Sequence, residues 1–215
     1  MIDPFNQQAH AEGWAVAVRL FHSLTRGEAF VPYRPPGLIL EPTEKALGEA
    51  TVQYSQFYGT VVPYAQRSTF ARGGPIFVAA ALIGTAAANA SARRAAERMS
   101  APQWRSGGFP RVLLTDQRLL IRSPTDFQWH YFRHSTLLEF WPRVEEYALH
   151  LVYSDCAPTM LRGPLVPWLS VALASCVYPR HELGNLPFFA CFPISEVVNQ
   201  PQADGALRIL GRSEE

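Results

Sequence analysis

The segment Arg111-Val-Leu-Leu-Thr-Asp-Gln-Arg-Leu-Leu-Ile-Arg122 constrains the fold more than any other stretch of the chain. Two apolar, β-prone runs flank a Thr-Asp-Gln-Arg step, which reads as a strand, a tight turn and a return strand. A third strand is expected from Phe127 to Thr136, after the Ser123-Pro124-Thr125-Asp126 turn signal, and a fourth from Tyr147 to Tyr153, before Ser154-Asp155. Thr159 to Arg162 supplies a short fifth strand. A helix pattern opens after Gly163-Pro164 and places Leu165, Trp168, Leu169, Ala172 and Cys176 on one face. Strands at short spacing closed by one helix predict an α+β unit. Its core is expected to draw on Val112, Leu114, Leu119, Ile121, Leu149, Leu151, Trp168 and Leu169. Trp129 and Tyr131 join them, with Phe127, as the inward face of the third strand.

Upstream, Trp14, Val18, Phe21 and Leu24 recur at helical spacing between Ala9 and Thr25, with Arg19 and Ser23 off the stripe, and Gly27 ends this amphipathic helix. The proline-stiffened run Val31-Pro32-Tyr33-Arg34-Pro35-Pro36-Gly37 and Glu41-Pro42 sustains neither helix nor central strand, so it reads as a connector that lays the helix across the main domain. Ala50 to Val62 is rich in Val, Thr, Tyr and Phe and reads as the opening strand, with Gly59 at a bend. The expected organisation is a helix and connector over residues 1–45, a main domain over 46–178 and an extension over 179–215. In that extension Leu186 to Pro193 is too apolar to float free. Asn199 to Asp204 and Arg212 to Glu215 read as solvent-exposed, and Leu207 to Leu210 as a short final strand.

An alanine-rich run, Ile76 to Ala88, follows Gly73-Gly74-Pro75 and leads into Arg93, Arg94 and Arg98, which predicts an inserted helix over about residues 75–99. It is short and weakly apolar for a bilayer span, which needs about 20 predominantly apolar residues. Ala80, Gly84, Ala88 and Ala92 fall at four-residue intervals, a stripe of small side chains that permits close helix packing.

The order of elements, together with Leu114-Thr115-Asp116-Gln117-Arg118-Leu119, resembles the bacterial branch of the pleckstrin-homology and GRAM-like domains, over roughly Glu49 to Tyr178. The resemblance implies an antiparallel sheet or partial barrel whose open end is plugged by the C-terminal helix, and a binding module rather than an enzyme. The alanine-rich helix departs from that pattern as an insertion between the first strand and the hairpin.

The 215 residues are 48% hydrophobic, ample for a real core, while a net charge of +1 leaves no global basic field to draw the molecule onto nucleic acid. Lys45 is the only lysine, the bias of a GC-rich coding genome, which points to a bacterium. Cys156, Cys176 and Cys191 lack Cys-x-x-Cys spacing, which disfavours a disulfide framework and a zinc site and fits a reducing cytoplasm. The N-terminus has neither the basic start nor the cleavage site of a secretory signal. His130 and His134 share a strand face, but Phe132 lies between them and no acidic or cysteine partner is near in sequence, so no metal is expected. A nucleophile elbow, a phosphate-cradling loop and a spaced carboxylate pair are all missing, so no cofactor is expected and an enzyme ranks last.

Cations remain. Arg67, Arg72, Arg93, Arg94, Arg98 and Arg105 bracket the alanine-rich run, and Phe70, Ile76 and Phe77 lie among them. Cations beside apolar side chains suit an anionic lipid headgroup at the inner membrane face; equally, arginines at a helix C-terminus complement its dipole. The alternative is a protein-interaction or self-association module, a homo-oligomer included, that uses the small-residue stripe. Arg118, in the hairpin turn, is expected to have a structural hydrogen-bonding role.

Overall fold

A computed structural model describes residues 4–31, 33–60, 90–124 and 127–193, with side chains from Gln7 onward. Helix α1 is Pro4–Thr25, a helix over residues 90–100 is α2, and α3 is Val166–Val177. The strands are β1 (Ala46–Thr51), β2 (Gln53–Tyr58), β3 (Gln103–Ser106), β4 (Arg111–Thr115), β5 (Arg118–Arg122), β6 (Trp129–Arg133), β7 (Leu137–Arg143), β8 (Ala148–Tyr153) and β9 (Thr159–Arg162). They form two antiparallel sheets, ordered β1-β4-β5-β6 and β3-β2-β9-β8-β7. Only Val52 separates β1 from β2, so one bent run of chain serves both sheets, while β6 and β7 belong to different sheets and leave that corner open. The fold is α+β, an open pair of sheets rather than a closed barrel. Two compact units divide the chain: Met1–Gln56 with Ser106–Glu215, and Phe57–Arg105.

In the first unit the expected hairpin forms, with Val112 opposite Ile121 and Leu114 opposite Leu119. Val112, Leu114, Leu119 and Ile121 meet Leu149, Leu151, Trp168 and Leu169 in a single buried cluster. Three other expected members do not join it. Tyr131 is 60% exposed and Phe127 68% exposed, and Trp129 packs on the opposite face of the sheet, around Leu113 and Leu120. The reason is register. Leu119 and Ile121 face the core and lie opposite Phe132 and His130, so Phe132 turns inward and its neighbours turn out, the consequence of a two-residue period.

The outer face that receives Trp129 is covered by the proline-rich connector, whose Tyr33, Leu38 and Leu40 pack there. A backbone bridge from Tyr33 to Ala46 pins it to β1. Strand β7 is absent from the sequence expectation because Glu139 and Pro142 interrupt its apolar run; an edge strand tolerates such a proline, and β7 lies at the edge of its sheet. The opening strand also begins earlier than expected, at Ala46.

Helix α3 is buried without interruption from Val166 to Ala174, more than the single stripe expected of it. The sheets take one side and α1 takes the other. A helix enclosed in this way is apolar all round. Ala17, Val18, Phe21 and Leu24 of α1 are buried, and the helix ends with Gly27 at φ +84°, where the Glu28 N–H reaches the Ser23 carbonyl and the Gly27 N–H reaches Leu24. Beyond α3, Phe189 and Phe192 stack with centroids 5.6 Å apart, and Phe192 lies 5.4 Å from the Phe21 ring, so the apolar extension is built into this unit. The expected strand at Leu207 to Leu210 lies outside the described residues.

Gly13 fixes how closely α1 approaches the start of α3. A Cβ there would sit 2.0 Å from the Pro164 carbonyl oxygen. Alanine is the better helix former by about 1 kcal/mol, yet Gly13→Ala is expected to cost at least the 1 to 3 kcal/mol typical of overpacking. Denaturant midpoints at unchanged slope check this, and a stabilised variant would contradict the contact.

Candidate functional site

The second unit, Phe57–Arg105, carries the arginines that the sequence singles out. Arg67, Phe70, Arg72, Phe77, Ala80, Gly84 and Ala88 lie outside the described residues. Ala92, Arg93, Arg94 and Arg98 lie on α2, and Arg105 on β3. Ala92 is half-buried and Ala96, four residues on, is buried, so the described end of the small-residue stripe is a packing face. Arg93, Arg94 and Arg98 are exposed. Glu97 pairs with Arg93 at 2.8 Å, with both side chains more than half exposed, so little stability comes from it. No ion pair among the described residues engages Arg94 or Arg98.

Arg105 has a different task. Its Nε donates to the Tyr58 carbonyl at 3.2 Å, its Nη2 donates to the Met99 carbonyl at the end of α2, and the guanidinium lies 5.4 Å from the Tyr58 ring centroid. It closes the helix C-terminus, where unsatisfied carbonyls favour a cation.

Apolar side chains that sequence reading assigned to a strand or to the inserted helix, or not at all, stand exposed in the same unit. Phe57 is 40% exposed, Tyr58 43%, Met99 57% and Trp104 40%. The Phe57 and Trp104 rings lie 5.5 Å apart. Such side chains look like ordinary strand or helix residues in sequence; exposure is visible only once these elements are placed. Charge is segregated too: the segment holds six of the chain's 19 basic residues and only Glu97 of its 18 acidic ones.

The hairpin turn of the first unit is a clasp. The Thr115 hydroxyl accepts from the Gln117 and Arg118 N–H groups at 3.2 and 3.0 Å and donates to Glu44 at 2.7 Å. Asp116 accepts the Lys45 N–H at 2.9 Å and returns its own N–H to the Lys45 carbonyl. Arg118 grips both Glu44 oxygens at 2.8 Å, and the Glu44 side chain is 0% exposed. Burial alone would raise the Glu44 pKa. The Arg118 bonds, the Glu41 N–H and the Thr115 hydroxyl outweigh it and hold the carboxyl below its ordinary value. Arg118 is therefore structural, as expected.

Beside the clasp lies a shallow cleft of about 420 Å³, lined by His134, Leu137, Phe140, Cys176 and Tyr178 among others. His134 donates from Nε2 to the Thr115 carbonyl at 3.0 Å, and burial pushes its pKa down, so the ring is neutral with its proton on Nε2. Burial raises the Cys176 thiol to about 12, and its sulfur leans on the Ala172 carbonyl. Neutral imidazole and protonated thiol do not make a nucleophile and base at neutral pH. Among the described residues, no group of three or more His, Cys, Asp or Glu side chains could share a metal, and no helix is long and apolar enough to cross a membrane.

No protein-family model matches the chain, and no curated protein is found as a relative.

Proposed function

We propose that this chain is a pleckstrin/GRAM-like binding module that docks peripherally on anionic lipid headgroups through the segment Phe57–Arg105. One observation carries the reading: in that segment exposed arginines, Arg94 and Arg98 above all, accompany exposed Phe57, Tyr58, Met99 and Trp104, with a single acidic residue against six basic ones. Cations supply attraction and aromatic side chains supply shallow apolar contact, the two ingredients of interfacial binding. The family part of the reading draws support from chain order: a bent first strand shared by both sheets, strands β4 to β9 in succession, and a terminal helix packed against them. The insertion occupies the connection between that first strand and the hairpin, so the fold is free to vary there.

Each arginine at an anionic surface contributes about 1 kcal/mol, so Arg94→Gln with Arg98→Gln is expected to weaken vesicle binding roughly 30-fold. Sedimentation with phosphatidylglycerol vesicles, against phosphatidylcholine as control, measures it. Binding of the parent is expected to fall steeply between low and high salt, because headgroup attraction is screened. Equal pelleting with both lipids, or no response to the two substitutions, would sink the proposal and favour the alternative in which α2 packs on a protein partner.

A further inference from the structure

Strand β6 ends its sheet with an edge that no strand among the described residues pairs, and the hydrogen bonds around it reveal which groups line that edge. Ser123 donates its N–H to Gln128 at 2.8 Å, and His134 donates to Gln117 at 3.0 Å. Both pairs lie in the same register as the β5/β6 ladder, in which Arg118 is opposite Arg133 and Leu120 opposite Tyr131. Hydrogen-bonded pairs alternate along an antiparallel ladder. His130 and Phe132 therefore bond inward to β5, and the N–H and C=O groups of Trp129, Tyr131 and Arg133 point away from it. The Arg133 carbonyl also accepts the Thr136 hydroxyl at 3.1 Å, which leaves one lone pair.

Edge strands usually carry devices that prevent pairing, such as a bulge, a proline or a covering segment. The other edges of the first unit have them. β7 has a register shift between Leu137 and Glu139 and Pro142 further along, and β1 is bridged by Tyr33 of the connector. β6, Trp-His-Tyr-Phe-Arg, is regular and has none among the described residues.

We infer that β6 is an interface between two copies of this chain, paired antiparallel about a two-fold axis through Tyr131. Outward groups must meet outward groups, and of the registers this allows, only the one centred on Tyr131 uses all three residues. Tyr131 then exchanges two hydrogen bonds with its own copy, and Trp129 pairs with Arg133 of the other chain on both sides. The side chains agree with that register. Arg133 falls opposite an indole ring, an attractive cation–π pair, and like charges do not face each other. Tyr131, 60% exposed, is already held between guanidinium groups, with Arg118 at 5.6 Å and Arg133 at 5.9 Å from its ring centroid. The two four-stranded sheets become one of eight strands, a closed isologous dimer. This interface is independent of the lipid-facing segment and of its small-residue stripe.

Light scattering and sedimentation equilibrium of the full chain, free of lipid, test the inference. The parent is expected at twice the mass of one chain at high micromolar concentration. Tyr131→Lys places two ammonium groups on the axis and is expected to halve the mass; its thermal melt, followed below the association range, is expected to remain one cooperative transition at a somewhat lower midpoint, because the ammonium replaces the ring between Arg118 and Arg133. Tyr131→Cys is expected to give a disulfide-linked dimer on mild oxidation, since Cα atoms of a hydrogen-bonded pair lie about 5.5 Å apart, within disulfide range. His130→Cys, one residue away on the other face, is expected to give none. A parent of single-chain mass at every concentration, or a dimer that Tyr131→Lys leaves intact, would overturn the inference. Loss of vesicle binding in the arginine variants bears on neither mass, so the two proposals fail separately.

Discussion

Arg118→Ala is expected to destabilise the fold by about 3 to 5 kcal/mol, the cost of leaving one partner of a buried ion pair unmatched. The arginine side chain is 14% exposed and that of Glu44 is 0% exposed, so solvent cannot take over the lost contacts. The Glu44 carboxylate keeps the Thr115 hydroxyl and the Glu41 N–H, which places the expected loss nearer the lower end. Acid acts through the same group. Because the folded-state pKa of Glu44 lies below its ordinary 4.5, the clasp contributes fully above about that pH and is lost as pH falls through the lower, folded value. Denaturant midpoints from neutral pH into that range are expected to fall for the parent, and to fall less for Arg118→Ala. A variant with the parent's stability at neutral pH would show that the guanidinium merely rests at the surface.

Trp168→Ala is expected to cost a similar amount, about 3 to 5 kcal/mol, for a different reason. Trp168 is 5% exposed and stands in the buried cluster shared by both sheets and α3, so truncation leaves a cavity with rigid walls on several sides. The sheets themselves hold their ladders through β4, β5, β8 and β9, so cooperative unfolding is expected to persist at a lower midpoint. A loss below about 1 kcal/mol would mean that α3 can settle into the space, and that it does not seal the sheets as its burial implies.

Periodicity and turn chemistry were enough for the elements that build the core. The hairpin from Arg111 to Arg122, strands β8 and β9, and helices α1 and α3 are written in local patterns, because an apolar run bounded by Thr-Asp-Gln-Arg or by Gly-Pro has few other uses. Arg118 was legible as structural, although its partner Glu44 lies 74 residues away and no local rule names it. Strand β7 was hidden by Pro142, whose acceptability depends on lying at a sheet edge, a property of the assembled sheet. The facing of β6 was hidden for a related reason. Trp129 and Tyr131 are more apolar than His130, so pattern alone turned them inward; cross-strand register with Leu119 and Ile121 turned Phe132 inward instead, and the connector covered the outer face.

In the candidate site, the sequence by itself placed cations beside an alanine-rich run and assigned Arg93, Arg94, Arg98 and Arg105 one common role. Only tertiary structure separated them. Arg105 is spent on the carbonyls of Tyr58 and Met99, while Arg94 and Arg98 stand on the exposed side of α2 with Phe57, Tyr58, Met99 and Trp104 uncovered in the same unit. Local sequence determines which residues form a helix or strand, because period and backbone sterics act over a few neighbours. Which groups are satisfied, which are bare and which edge lies open depends on contacts between residues far apart in the chain, and those exist only after the sheets and helices have packed.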